Sequence, residues 1–489
     1  MELQQLLQAL PGGLTGAMDD SRLLRPGELF LAYPGHGADG RAYIPQALAR
    51  GAAAVCWEPG GDFAWNPDWQ VPQLSVTGLR ALAGPLAHEL AGRPSNALDL
   101  LAITGTNGKT TVSQWLARAY PGSCAAIGTL GAGFPDALVP TGFTTPEATM
   151  LARLLAEQLQ QGARACALEA SSIGIEEGRM NGFLVDTALF TNFTQDHLDY
   201  HGTMEAYGAA KEKLFRWPGL RLAVINADDG FGRRLLQRTC AARVLAYSIA
   251  GDGAGLPAGQ LVLARDLRDS PSGQQFLLQS PWGEAPVHTP LVGRYNISNL
   301  LAVAAVLLDL GLPVAEVAER LGGLQAPPGR MERYGGVGEP LVVVDYAHTP
   351  DALENALGAL RPVAAARGGR LWCLFGCGGE RDRSKRPLMG QVAVAGADEV
   401  WISSDNPRSE DPMAIIEDIR PGAPAARVEA DRGLAIARMV AAAADQDVIL
   451  IAGKGHEPYQ EIAGVRHPFA DGEQARLALA ARQQDRKVA

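Results

Sequence analysis

The run Gly105-Thr106-Asn107-Gly108-Lys109-Thr110-Thr111 carries the sharpest chemistry in the chain. Its glycines let the backbone curl so that N–H groups face phosphate oxygens, and a helix starting behind it adds a positive dipole end. Lys109 can reach the β- and γ-phosphates of a nucleotide, and the Thr110 hydroxyl can ligate Mg²⁺. Ile103 stands where a full G-x-x-x-x-G-K-[ST] pattern has its first glycine, so the surrounding elements must carry the reading. Phosphoryl transfer to water, to a hydroxyl or to a carboxylate would all suit such a loop.

Those elements are in the right order. An apolar run, Leu100 to Ile103, enters the loop and a helical pattern, Thr110 to Ala119, leaves it, the entry to a nucleotide-binding α/β domain. Strands are expected at 164–169, 187–192 and 221–226, each ending in a polar residue. Residues 146–161 read as a helix with Thr145 as N-cap and Pro146 in the first turn. Residues 296–310 form another, apolar on most faces and therefore buried. Between about 244 and 292, short strands with Gly and Pro turns predict a small antiparallel sheet attached to the core. Arg93-Pro94-Ser95-Asn96 and Gln325-Ala326-Pro327-Pro328-Gly329 read as linkers. Beyond the second, strands at 341–346, 371–375, 399–403 and 448–452 alternate with helices. The expected fold is α/β in three domains, 1–96, 97–327 and 328–489. The middle one is P-loop ATPase-like, with a mainly parallel sheet plus the small antiparallel one. The last is Rossmann-like.

Composition narrows the function classes. With 489 residues, 47% hydrophobic and 20% charged, the chain is globular and too long for a single core. A net charge of −10 speaks against a general nucleic-acid or anionic-membrane binder. The first ten residues lack a signal-peptide pattern and no run is long enough to span a membrane. Six sparse cysteines, several in apolar runs, predict buried reduced thiols and a cytoplasmic protein.

Further motifs arrive in order along the chain. They include Glu169-Ala170-Ser171-Ser172, Asp196-His197-Leu198-Asp199-Tyr200-His201 and Tyr207-Gly208-Ala209-Ala210-Lys211. Asn296-Ile297-Ser298-Asn299, Gly329-Arg330-Met331-Glu332, Asp345-Tyr346-Ala347-His348-Thr349-Pro350 and Asp405-Asn406-Pro407-Arg408 follow. The loop alone resembles those of Mur ligases and folylpolyglutamate synthases. The whole set, from Asp20-Ser21-Arg22 to Gly453-Lys454-Gly455-His456-Glu457, resembles the diaminopimelate-adding members of the Mur ligase family. The resemblance implies a monomeric, ATP- and Mg²⁺-dependent ligase. It would phosphorylate the D-Glu side-chain carboxylate of UDP-N-acetylmuramoyl-L-Ala-D-Glu and let an amine of meso-diaminopimelate attack the acyl phosphate.

Roles follow by resemblance, and chemistry makes each sensible. A carboxylate ending a strand beside the loop suits Mg²⁺, so Glu169 and His197 are expected as ligands with Thr110. Lys211 is expected to carry a carbamate, which converts a cation into a carboxylate-like group; a desolvated Lys has the free amine this needs. Lys109, Glu169, His197 and Lys211 form the expected catalytic set. Asn296, Asn299, Arg330 and Asp345 are expected to join the loop around ATP. Ser21, His36, Gly37, Ala38, Thr144, Thr145, Ser171, Glu177 and Arg179 are expected to hold the UDP-muramoyl substrate. Phe143, Ile173, Glu177 and Glu380 depart from residues frequent in the family at those positions.

Diaminopimelate differs from lysine by a second, distal carboxylate. Arg408 can offer it a planar bidentate fork, with Arg381 as a further cation and Asp405, Asn406 and Pro407 shaping the loop. Glu457 and the Gly453 carbonyl are expected to receive the distal ammonium. The alternatives are a lysine-adding Mur ligase, a folylpolyglutamate synthase-like ligase and a nucleotide-gated scaffold.

Overall fold

A computed structural model describes residues 2–488 apart from 36, 252–254, 256–257 and 271–272. Among these residues the strands form sheets of four, ten, six and two members. The four-stranded sheet is parallel throughout and lies in the first hundred residues, from Ala17–Met18 to Gln73–Ser75. Alternation decides its faces, because successive strand residues point to opposite sides. Leu29, Leu31 and Cys56 enter one core, while Phe30, Ala32 and Val55 enter another.

In the ten-stranded sheet, Asp99–Thr104 lies between Ala165–Glu169 and Thr187–Phe190, parallel to both. Leu222–Asn226 and Arg243–Ser248 continue the parallel order. The expected small antiparallel sheet is present and joins this one at its edge. Leu261–Ser270 pairs in parallel with Arg243–Ser248, and Gly273–Ser280 and Gly283–Thr289 add to the edge as a meander. A turn-rich sequence shows hairpins but not which edge they join. The helix Arg294–Asp309 packs beneath, its residues from Leu300 to Leu308 all buried. Leu101 and Ile103 face that helix, whereas Leu100 and Ala102 face a core that also contains Leu6, Leu31 and Leu86.

The six-stranded sheet runs Glu332–Gly335, Leu341–Asp345, Val448–Ala452, Leu371–Phe375, Glu399–Ile402 and Arg427–Val428. All neighbours are parallel except the first pair. It is buried on both faces, with Val343, Cys373 and Leu450 on one and Val344, Leu374 and Ile451 on the other. Both large sheets therefore present the carboxyl ends of parallel strands, where α/β proteins place ligands.

One helix start differs from expectation. Helix Ala148–Gln160 begins after Pro146, with Glu147 at the cap making no side-chain cap bond. Thr145 is not free to cap it, since its hydroxyl donates to the Glu169 carbonyl at 2.7 Å. Five cysteines are buried as expected, but Cys240 is exposed just beyond helix Gly230–Arg238. No helix among the described residues is long and apolar enough to cross a membrane.

Candidate active site

Gly105 (φ 150°) and Gly108 (φ 86°) take backbone conformations that side chains disfavour. A Cβ at Gly105 would collide with the Thr191 hydroxyl, and one at Gly108 would lie 2.7 Å from Asn299 Oδ1. The loop is thus seated against strand end Thr191 and helix residue Asn299. Helix Lys109–Ala119 follows directly, pointing its N-terminus into the loop. Lys109 Nζ folds back to donate to the Gly105 and Thr106 carbonyls, both at 2.9 Å. Burial lowers the Lys109 pKa, opposed by Glu169. Thr106 Oγ1 lies 3.1 Å from the Tyr207 hydroxyl.

Glu169 ends its strand fully inside the fold. Its carboxylate accepts from the Thr110 hydroxyl at 3.0 Å and from the Thr129 amide at 2.9 Å. Thr129 was not anticipated, because nothing in Gly-Thr-Leu distinguishes a site residue from a strand end. Among the described residues no three His, Cys, Asp or Glu side chains converge into a ready metal cage. Thr110 and Glu169 nevertheless bring two hard oxygens together. That fits Mg²⁺, which retains waters and phosphate ligands and needs few groups from the protein.

His197 stands apart from that pair as placed. It is left-handed (φ 54°), with Nε2 3.5 Å from Asp196 Oδ2. Burial pushes its pKa down to about 4, against the pull of Asp196, so the ring is neutral at pH 7 and able to ligate. Asp196 also lies 3.8 Å from His348 Nε2. Burial alone would raise the Asp196 carboxyl, but His197, His348, Lys385 and Lys109 together hold it low.

Lys211 lies on helix Met204–Glu212 and is 1% exposed. Its Nζ donates to the Gly105 carbonyl at 2.9 Å and sits 4.3 Å from the Tyr207 ring centroid. Burial, with Lys109 nearby, drives its pKa well below the usual value. Asp196 opposes that fall without reversing it, and a lowered pKa favours a free, reactive amine.

The third unit closes the loop from the other side. Arg330 Nη2 donates to Thr110 Oγ1 at 3.0 Å, its guanidinium 4.4 Å from the Tyr346 ring centroid. Asn107 Nδ2 donates to Asp351 Oδ2 at 3.0 Å, joining the loop to helix Pro350–Arg367. Between the units lies a cavity of about 460 Å³, lined by Gly108, Thr111, Asn296, Asn299, Arg330 and Asp345. Asn296 is tied by Nδ2 to the Val292 carbonyl at 2.8 Å, leaving Oδ1 to face a ligand. Asp345 accepts from the Met331 and Ala347 amides at 2.8 and 2.9 Å. Burial raises its pKa to about 6. Asn192 and Asp351 line the same cavity unanticipated, Asn192 lying two residues beyond the strand Thr187–Phe190.

Thr144 and Thr145 come together beside Glu169. Thr144 Oγ1 is 3.1 Å from Thr129 Oγ1. Thr145 Oγ1 lies 2.9 Å from Ser171 Oγ, and Ser171 caps the short helix Ser172–Glu176. Arg179 donates to the Thr145 carbonyl at 2.7 Å and pairs with Glu177 at 2.6 Å and Glu147 at 2.9 Å. Phe143 lies 5.7 Å beneath the same guanidinium, so two of the departures, Phe143 and Glu177, share one Arg. Ser21 is buried and donates to Gln46 Oε1 at 2.8 Å. Gly37 and Ala38 are exposed in a turn, and His36 lies outside the described residues.

Asp405, Asn406, Pro407 and Arg408 follow strand Glu399–Ile402, and Gly453 to Glu457 follow Val448–Ala452. The two loops interlock: Asn406 Nδ2 donates to Glu457 Oε2 at 2.6 Å, and a Cβ at Gly453 would lie 2.7 Å from Asp405 Oδ2. Arg408 is left-handed (φ 53°), held by backbone bonds to Glu461 and Ala463, with Nη1 donating to the Gly379 carbonyl at 2.6 Å. Arg381 is exposed on the neighbouring loop.

Fold and site define an α/β protein with a phosphate-binding loop under a second α/β unit, on whose edge cations and carboxylates gather. Three family descriptions match successive stretches: "Mur ligase family, catalytic domain" over 17–89, "Mur ligase middle domain" over 103–307, and "Mur ligase, glutamate ligase domain" over 329–455. The UDP-N-acetylmuramoyl-L-alanyl-D-glutamate--2,6-diaminopimelate ligase of Pseudomonas aeruginosa is 52% identical over 468 residues, 94% of each chain. A solved structure of a ligase of that name is 38% identical with a TM-score of 0.66, covering 96% of this chain and 95% of the other. The ADP complex of MurF from Thermotoga maritima shares the fold at 19% identity and a TM-score of 0.66, over 98% and 100% of the two chains. The chain belongs to the Mur ligase family.

Proposed function

We propose that this chain is the ATP-dependent ligase that joins meso-diaminopimelate to the D-Glu side-chain carboxylate of UDP-N-acetylmuramoyl-L-Ala-D-Glu, forming the tripeptide precursor of peptidoglycan. The observation that carries the reading is the interlocked pair of loops presenting Arg408, Asn406 and Glu457 on the strand edge that faces the phosphate loop. A guanidinium for a distal carboxylate and a carboxylate for a distal ammonium match diaminopimelate; lysine has no group for Arg408. The relatives named above act in the same sense.

ATP lies in the cavity, its phosphates toward Lys109 and the loop amides, with Arg330 adding positive charge and Asp345 accepting from ribose hydroxyls. Thr110 and Glu169 would hold Mg²⁺, with His197 as a third ligand once it moves in from its place beside Asp196, and the ion would supply positive charge for the phosphoryl oxygens. Lys211, once carbamylated, would supply a carboxylate-like group to that site. The substrate carboxylate, oriented by Thr144, Thr145, Ser171, Glu177 and Arg179, attacks the γ-phosphorus in line, and the bond to the β,γ-bridging oxygen breaks to release ADP. The amine then displaces phosphate from the acyl phosphate. Residues 1–96 with Ser21, His36, Gly37 and Ala38 hold the UDP end, 97–327 ATP, and 328–489 the amino acid. We take the enzyme to be a cytoplasmic monomer.

The test is phosphate release with ATP, Mg²⁺ and the UDP-dipeptide, comparing meso-diaminopimelate with L-lysine. Release with diaminopimelate alone is expected. Preference for lysine would overturn the role of Arg408, and release with neither would overturn the ligase reading.

A further inference from the structure

Lys454 is 0% exposed, a severe position for an ammonium. It lies in the Gly453–Glu457 loop, and no role for it has been needed so far. Its Nζ donates to Asn406 Oδ1 at 3.1 Å, to Glu457 Oε2 at 3.2 Å and to the Tyr459 carbonyl at 2.6 Å. Asp405 Oδ1 is 3.9 Å away. All three donor positions of the ammonium are thus used, each on a different part of the amino-acid edge. Asn406 closes the triangle by donating to the same Glu457 oxygen at 2.6 Å. The Glu461 amide donates to Asn406 Oδ1 at 2.9 Å, fixing which way the amide faces. Among the described residues nothing donates to Glu457 Oε1, which is left for an incoming donor.

We propose that Lys454 is a positioning residue for amino-acid selection: its ammonium keeps Glu457 ionised and aimed, so that the carboxylate can receive the distal ammonium of diaminopimelate. This rests on the reading of Glu457 as an amino-acid contact given above. The electrostatics agree with the geometry. Burial raises the Glu457 pKa, Asp405 raises it further, and Lys454 and Asn406 oppose both. The other groups facing this pocket include Tyr346, just after Leu341–Asp345, Arg432, and His456, which burial holds neutral with a pKa lowered to about 4. Arg432 is already committed to Asp471, at 2.7 Å, and to the Ala452 carbonyl, at 2.9 Å. Lys454 is therefore the cation in hydrogen-bond contact with Glu457. Removing its charge lets the Glu457 pKa rise, so binding of diaminopimelate fails at a higher pH than in the wild type.

The experiment is KM for meso-diaminopimelate against pH, from about pH 5 to about pH 9, for the wild type, Glu457→Gln, Lys454→Gln and Lys454→Arg. KM for ATP and the melting temperature serve as controls of folding. Glu457→Gln should raise KM and abolish the acid limb of the profile. Lys454→Gln should raise KM about tenfold or more and move the acid limb up by roughly one pH unit or more, with KM for ATP unchanged. Lys454→Arg, which keeps the charge, should hold the limb near its wild-type position. If Glu457→Gln leaves KM unaltered, the amino-acid reading of the site fails. If Glu457→Gln acts as expected but Lys454→Gln leaves the limb in place, or both Lys454 variants shift it alike, the role of Lys454 alone is overturned. Should Lys454→Gln not fold, the wild type decides. A limb lost in Glu457→Gln and lying below about pH 6 supports the proposal, and one at or above about pH 7 overturns it.

Discussion

Arg408 is the residue whose type carries most of the specificity argument, and its geometry adds a constraint the sequence does not show. The Asn-Pro-Arg turn suggests a stiff loop, but the left-handed backbone at Arg408 is imposed by Glu461 and Ala463, more than fifty residues further on. Replacing Arg408 by Ala should raise the diaminopimelate KM by about tenfold to a hundredfold, the scale of a lost charge-assisted pair. KM for ATP should not change; steady-state kinetics with each substrate varied in turn would check this. Asp345 was expected by resemblance as a ribose acceptor and lines the cavity, but its burial was not legible. With a pKa raised from 3.8 to about 6, it stabilises the fold most when protonated, and that contribution is lost as pH rises through about 6. In the proposed ribose contact nucleotide binding runs the opposite way, because an ionised carboxylate accepts from hydroxyls more strongly than a neutral carboxyl. Calorimetric titration should show the Kd for nucleotide rising as pH falls through about 6, and Asp345→Asn should flatten that dependence.

Elements were legible where their pattern is self-sufficient. The strand before the phosphate loop, the helix after it and the buried helix Arg294–Asp309 all declare themselves through apolar runs. What failed was the use of single polar residues as local punctuation. Thr145 before Pro146 has the form of a helix cap, yet tertiary contacts claim its hydroxyl: the Glu169 carbonyl, Ser171 Oγ and the Ser171 amide, at 2.7, 2.9 and 3.0 Å. The same hydroxyl therefore holds a strand end to a helix start beside the Glu169 carboxylate. Thr145→Val keeps the shape and removes those bonds. It should cost about 1–3 kcal/mol in chemical denaturation and raise KM for the UDP-dipeptide, while Thr111→Ser, in the neighbouring helix, should do neither.

At the scale of the molecule, linkers read from composition did not reveal how far the cores extend. Leu6, Leu31 and Leu86 share a cluster with Leu100, Leu151 and Phe190, across the junction at 93–96. An ion pair reinforces the contact: Arg153 reaches Glu28 at 2.7 Å, with the two side chains 11% and 6% exposed. Breaking it with Glu28→Ala strands a mostly buried guanidinium and should cost about 3 kcal/mol. Calorimetry should show that loss in the transition that unfolds residues 1–327 together. The sheet of residues 328–489 has cores of its own on both faces and should melt with little change.

The shared core also bears on how such a chain can be recombined. The first sheet has the outline of a cassette, yet one of its two faces is completed by side chains from beyond residue 96. Grafting it onto a foreign partner would expose Leu31, Cys56 and Leu86 unless the recipient presented matching counterparts of Leu100, Leu151 and Phe190. Altering loops on this sheet is therefore an easier route to a new surface than exchanging it whole.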